Sequence, residues 1–262
     1  MTTAARPPNG PVLALAVFGD SASVALRRSE PSPEFLLAGE VVTQSHSARM
    51  LPLASELMAT AGCSPVDLAG VAFEAGPGGF TSLRVACALA QGLGTALGIP
   101  LCPVGTLEAA AVSLLRADGA RGDEASEACV LVANDARMGE CYFGVFEVVV
   151  EPVQGSARVS TLVEIDCAGP ARVVETLVQW SRLRPGLRAT GDAHHAYVDV
   201  AVALSRLGIT PADAHADAAA IAMLAAGPAA SWLDPVDAAP RYVREKVALD
   251  VDEQRALRAG RA

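Results

Sequence analysis

Gly76-Pro77-Gly78-Gly79-Phe80-Thr81-Ser82-Leu83-Arg84 joins an apolar run to a long Ala/Gly-rich segment. Glycines there let a ligand reach bare backbone at a helix N-terminus, so Gly76, Gly78, Gly79 and Thr81 could cradle the phosphates of a nucleotide shared with a partner. The same residues equally serve a tight strand-to-helix turn with glycines at positive φ, Phe80 then acting as a core anchor. Arg84, one turn into an otherwise uncharged helix, either meets an acidic group across an interface or points along a cleft. Asp135, Arg137 and Glu140 make a second charged turn at the edge between the expected lobes, either solvated or engaged in a structural salt link or a partner contact. The histidines, His46, His194, His195 and His215, show no ligand spacing beyond one adjacent pair. Adjacent residues on a helix point apart, so His194 and His195 read as solvated surface.

These residues need elements to position them, and hydrophobic period with turn chemistry supplies an order. Residues 12–18 and 23–26 flank Gly19-Asp20-Ser21 as a hairpin, and a third strand follows at 35–42. Met50, Leu53, Ala54, Leu57 and Met58 recur at helical spacing over 48–61, with Pro52 predicting a kink or a late start. A strand at 68–75 leads into the glycine loop, Thr81 or Ser82 caps the long helix, and a strand follows at 99–104. The pattern then repeats: strands at 129–134, 140–150 and 158–165, a helix at 170–183, a short strand at 187–190. Residues 211–227 read as one more Ala-rich helix, and 235–247 as an extended return. Such duplication predicts an α/β chain of two lobes facing one cleft. The lobes are expected at 12–110 and 111–248, divided where periodicity lapses over 110–127. Residues 1–11 are expected to be disordered and 249–262 a flexible tail.

Composition limits the partners. The chain has 262 residues, 52% of them hydrophobic, and a net charge of -9. It can bury one or two cores but offers no concentrated positive surface to grip nucleic acid. Six cysteines lie far apart without a C-x-x-C pair, which excludes the usual zinc and thioredoxin spacings and suggests reduced, mostly buried thiols of a cytoplasmic protein. No secretory signal is read at the N-terminus. The segment 83–98 is too short and too polar for a membrane span, at Arg84, Gln91 and Thr95. Its apolar residues lie on more than one side, so one side covers a sheet and the other calls for a second partner.

Three stretches together resemble the TsaB (YeaZ) family: residues 73–106, "FEAGPGGFTSLRVACALAQGLGTALGIPLCPVGT"; 134–146, "NDARMGECYFGVF"; and 240–248, "PRYVREKVA". Their order and spacing agree over roughly residues 12 to 248, and three motifs in order are far more specific than one glycine loop. The resemblance implies two duplicated actin-like lobes of the ASKHA or RNase H-like type, in agreement with the repeat. It implies a non-catalytic subunit that pairs with the catalytic TsaD, with the ATPase TsaE joining at that pair, for threonylcarbamoylation of adenosine beside the anticodon in tRNA. The contact with tRNA is then indirect.

The partner surface is expected on the two N-terminal helices, at Met50, Leu53, Ala54, Leu57, Met58, Leu83, Arg84, Cys87, Ala90, Gln91 and Gly94. A homodimer through the same surface is expected when TsaD is absent. Where TsaD carries two histidines four residues apart, this chain has Thr106 and Ala110, so no metal is expected there. Where actin-like ATPases place an acidic residue, at the end of the first strand, it has Ala16-Val17. Asp20 falls four positions late, in the turn. No cofactor is therefore expected on this chain alone, with ATP and a metal on partner subunits. The alternative reading is an actin-like kinase or ATPase, or a metallo-glycoprotease-like enzyme.

Overall fold

The computed structural model describes residues 9–19, 21–28, 34–41, 46–119 and 124–244. Asp20, most of the expected N-terminal disorder at 1–11, the tail at 249–262 and the end of the third motif at 245–248 lie outside the described residues. The apolar run Val12–Phe18 forms β1, and Ser21–Arg28 returns beside it as antiparallel β2, with Val12 opposite Arg27. β3 (Glu34–Val41) adds to β2, while β4 (Gly70–Gly76) and β5 (Leu101–Gly105) run parallel to β1, giving the order β3-β2-β1-β4-β5. β4 is buried along its whole length, as its run of Val71, Ala72, Phe73 and Ala75, interrupted by Glu74 alone, suits a strand covered on both faces.

The second sheet repeats this wiring. β6 (Ser126–Arg137), β7 (Glu140–Glu151) and β8 (Ser156–Ala168) form an antiparallel meander, and β9 (Arg188–Thr190) returns parallel to β6, giving β8-β7-β6-β9. The duplicated, actin-like α/β architecture read from the sequence is therefore present.

α1 (His46–Thr60) and α2 (Phe80–Leu97) cover one face of the first sheet. α1 runs through Pro52 and begins six residues before it, so the expected late start is not observed. α4 (Pro170–Leu183), the single turn α5 (Ala193–Ala196) and α6 (Val198–Arg206) lie on the outer face of the second sheet.

The main correction concerns the lobe boundary. The first part of the expected boundary over 110–127 belongs to α3 (Thr106–Gly119), with Leu107, Ala109, Ala110, Ala111, Val112, Leu114 and Leu115 all buried. A division at residue 110 would cut this helix. α3 shares a core with β1, β6, β7 and α7 (Ala218–Ala225), so both sheets close on one pair of helices. The expected helix over 211–227 is confined to α7, whose N-terminal amide on Ala220 donates to the Asp217 carboxylate. Asp217 also pairs with Arg116 of α3. α7 packs on β1, β2 and β8, so the chain returns to the first sheet after completing the second. Beyond Trp232 it bridges to β5 through Leu233 and Leu101, makes a 3-10 turn at Pro235–Asp237 and runs on to residue 244. Among the described residues no helix is long and apolar enough to cross a membrane.

Candidate functional site

The three stretches that carry the family resemblance meet in space. The returning segment 238–244 crosses the glycine loop, where the Arg241 amide donates to the Ala75 carbonyl at 2.6 Å. Gly76 has φ +112°, and a Cβ there would lie 2.6 Å from the Arg241 carbonyl oxygen and 2.8 Å from Leu83 Cδ1. Glycine is required at Gly76 by this close approach. Gly78 and Gly79 have room for a Cβ, and Gly79 has φ -60°, so positive φ is not what selects glycine at Gly79.

Gly79 itself caps α2 through its backbone, its carbonyl accepting the Leu83 amide at 3.0 Å, and the helix begins at Phe80. Thr81 and Ser82 are therefore first-turn residues rather than caps. Phe80 is 45% exposed and anchors nothing in the core. Its ring carries the Arg84 guanidinium 3.6 Å above it and leans on Tyr242, with ring centroids 5.6 Å apart. Arg84 Nε donates to the Tyr242 hydroxyl at 3.1 Å, so its partner is a phenol of its own chain and not an acidic group. Phe80, Thr81, Arg84, Val85, Ala88 and Leu89 line a shallow depression on the outer side of α2.

This outer side is opposite to most of the residues expected at the partner surface. Met50, Leu53, Ala54, Leu57, Met58, Cys87 and Ala90 are buried in the chain's own core beneath α1 and α2. Leu83 and Gly94 are buried as well, Gly94 against Leu101 and Pro235. Gln91 is half-buried and donates to the carbonyls of Pro235 and Ala238 at 3.2 and 2.9 Å. Of that set, Arg84 alone is exposed. α2 is apolar on both faces, and hydrophobic period alone does not say which face a sheet takes.

The other end of the returning segment reaches the second charged turn. Arg244 pairs with the Glu140 carboxylate, donates to the Arg137 carbonyl at 3.2 Å and lies over the Tyr142 ring at 5.9 Å. Asp135 accepts the Arg137 amide at 2.8 Å and meets the Arg137 guanidinium at 3.1 Å. Arg137 and Met138 hold φ 62° and 57° in this turn. The Tyr197 hydroxyl, not singled out from the sequence, lies 2.7 Å from Asp135 Oδ1 and 2.9 Å from the Glu140 carbonyl. Burial, with the Asp135 carboxylate beside it, pushes that phenol upward. Asp135, Arg137 and Glu140 thus act in a structural network that ties the turn to residue 244.

Glu74 is a further residue that sequence reasoning missed. Its only signal is one acid inside the apolar run of β4. The side chain is fully buried, its Oε2 accepting the Val17 amide at 2.8 Å and its Oε1 the Thr106 hydroxyl at 2.9 Å. Burial raises it to about 7, against the pull of those two hydrogen bonds. Thr106 and Ala110 both lie in the first turns of α3 with no exposed surface. The place where the resemblance would set an imidazole pair is filled here by core packing and one hydroxyl–carboxylate bond.

All six cysteines are free; Cys87, Cys102 and Cys141 are buried, and Cys63, Cys129 and Cys167 partly so. Burial pushes the Cys102 and Cys141 thiols up to about 12, which leaves them protonated and unreactive at neutral pH. His194 and His195 depart from expectation: their rings face each other at 3.9 Å rather than pointing apart.

Comparison with known proteins agrees with this geometry. A family model described as "TsaD: tRNA N6-adenosine threonylcarbamoyltransferase" matches residues 38–174, more than half of the chain. The tRNA threonylcarbamoyladenosine biosynthesis protein TsaB of Escherichia coli is 35% identical over 108 residues, 41% of this chain and 44% of that protein. The TsaB protein of Haemophilus influenzae is 34% identical over 144 residues, 55% of this chain and 56% of its own length. The chain thus spans about half the length of the curated relatives it matches. Among solved structures, YeaZ from Pseudomonas aeruginosa superposes with a TM-score of 0.67 at 26% identity, covering 89% of this chain and 99% of that one. A protein described as similar to peptidase YEAZ, also from Pseudomonas aeruginosa, gives a TM-score of 0.68 at 26% identity over 90% of this chain and all of that one. With the duplicated sheets, the convergent glycine loop and these matches together, the chain belongs to the TsaD (tRNA N6-adenosine threonylcarbamoyltransferase) family and groups within it with the TsaB (YeaZ) proteins.

Proposed function

We propose that this chain is a cytoplasmic, non-catalytic subunit in threonylcarbamoyladenosine biosynthesis that pairs with TsaD, with TsaE joining at that pair. The observation that carries the reading is the uncovered side of α2, where Val85, Ala88 and Leu89 form an apolar strip rimmed by Phe80 and Arg84. A helix that buries one apolar side in its own core and leaves the other uncovered is suited to a second protein. Burial of that strip stabilises whichever arrangement of the catalytic subunit binds it better, and so shifts its population.

Enzymatic readings find less support. Near its end β1 carries Ala16-Val17 rather than a carboxylate that could help hold magnesium, and the first turns of α3 offer Thr106 and Ala110 in place of imidazoles. ATP and the metal of the reaction belong, in this proposal, to the partner subunits. With a net charge of -9 the chain meets tRNA only through the complex. When TsaD is absent, the same strip of α2 pairs two copies of this chain.

Size-exclusion chromatography of the chain mixed with TsaD tests the pairing. Co-elution as one species is expected, with exchange out of any homodimer. Separate elution at micromolar concentrations of both would contradict it.

A further inference from the structure

His194 and His195 occupy the single turn α5, and Asp213 lies in the segment between α6 and α7. The two imidazole rings are inclined at 40° to one another, and both point Nε2 at one carboxylate oxygen. Asp213 Oδ1 is 2.7 Å from His195 Nε2 and 3.3 Å from His194 Nε2. One ligand atom from each of the three side chains falls within 4.8 Å of the others, an arrangement found at one group of three among the described residues. Adjacent residues diverge on a regular helix. Here α5 is only four residues long, and Asp213 collects both rings.

The mounting on each side is rigid. α5 begins after Gly191, whose φ of +101° brings its Cα so close to the Ala133 carbonyl that a Cβ would lie 2.2 Å from that oxygen. Asp192 follows and accepts the Asp135 amide at 2.7 Å, fixing the start of the turn to β6. Opposite it, the Thr190 hydroxyl reaches the carbonyls of Ala212 and Ala214 at 2.8 and 2.9 Å, and the Ala214 amide returns to Thr190 Oγ1 at 3.0 Å. Asp213 is thus gripped by its two neighbours. The three ligand atoms are held together by backbone that other contacts already fix, which lowers the ordering cost of binding an ion.

We propose that His194, His195 and Asp213 bind one divalent transition-metal ion of the zinc class. Two imidazole nitrogens and one carboxylate oxygen suit a borderline ion better than magnesium or calcium, which favour all-oxygen sites. The remaining positions around the ion are left to solvent, since His195 and Asp213 each keep 61% of their side-chain surface exposed. The ion ties α5 to residues 212–214. It acts outside the proposed pairing surface and does not depend on that reading.

Co2+ titration of the purified full-length chain under reducing conditions, followed by its d–d absorption and then by displacement with Zn2+, tests the site. One equivalent is expected, without the intense charge-transfer bands of thiolate ligation. His195→Gln and Asp213→Asn should each weaken binding by more than about ten-fold. Because both side chains are largely exposed, neither variant is expected to unfold, and circular dichroism checks this. As a second readout, Zn2+ should raise the melting temperature of the parent chain and leave that of Asp213→Asn unchanged. Thiolate bands, absence of a saturable signal at millimolar Co2+, or equal affinity in the parent and both variants would overturn the proposal.

Discussion

The Val17 amide, at the end of the first strand, donates to Oε2 of Glu74 at 2.8 Å, so a buried carboxylate from β4 serves the backbone of β1. Burial raises Glu74 to about 7 from an ordinary 4.5. The folded chain therefore holds this proton more tightly than the unfolded chain does. Its contribution to stability is fullest below about pH 4.5, falls as pH rises towards 7, and is constant above. Glu74→Gln keeps an acceptor for Val17 and offers Thr106 a donor. It should abolish that fall, worth up to about 3 kcal/mol, and denaturant unfolding at pH 5 and pH 8 measures it. A parent whose Glu74-dependent stability rises over this interval would contradict the assignment.

The glycine loop divides into one position required by packing and others that packing leaves free. Gly76→Ala pushes a Cβ against the Arg241 carbonyl at 2.6 Å with φ at +112°, whereas Gly78 has nothing closer than 3.8 Å. Gly76→Ala should destabilise by about 1–3 kcal/mol, and Gly78→Ala by less than about 1 kcal/mol. Thermal melts of the two variants check this, and equal melting temperatures would show that residue 241 does not hold the loop.

Leu57 and Ala88 separate core from surface on the two helices. Leu57 is buried under α1, so Leu57→Asp should cost several kcal/mol, on the order of 3 or more, and leave little folded protein. Ala88 faces outward on α2, and Ala88→Glu should leave the melting temperature of the isolated chain within a few degrees while preventing co-elution with TsaD. If Ala88→Glu pairs as the parent does, the partner surface lies elsewhere.

Arg244 fastens the returning segment to the second charged turn through Glu140 and the Arg137 carbonyl. Arg244→Ala should loosen residues 238–244 and speed hydrogen exchange at the Arg241 amide by roughly ten-fold, equivalent to about 1.4 kcal/mol. Exchange at the buried Val71 amide, bonded to the Pro100 carbonyl, should stay unchanged. A uniform acceleration at both sites would mean global destabilisation instead of a local latch.

Much of the fold could be read from the chain because its signals are local. The β1–β2 hairpin is announced by an apolar run and turn residues, and α2 by glycines before a long Ala-rich stretch. α3 escaped because it is buried on nearly every side from Thr106 to Leu115, with Glu108 alone partly exposed, and its last residues are charged, so no amphipathic stripe marks it. α5 and α6 are short, and their place depends on Asp192 reaching β6, a contact 57 residues apart in sequence. Site residues were less legible. Cys87 and Ala90 lie on the core side of α2, which period alone does not tell from its outer side because both are apolar, and the convergence of His194 with His195 requires an Asp213 that sequence distance hides.

The proposed role of this chain, to act only by pairing, is read most immediately by nucleoside analysis of tRNA. Substrate tRNA is incubated with TsaD, TsaE and the reaction's substrates, with the parent chain, with Ala88→Glu, or with neither. Threonylcarbamoyladenosine is expected in the presence of the parent chain, and at most about a tenth as much with Ala88→Glu or with no added chain. Full modification without the chain, or with Ala88→Glu at undiminished yield, would contradict it.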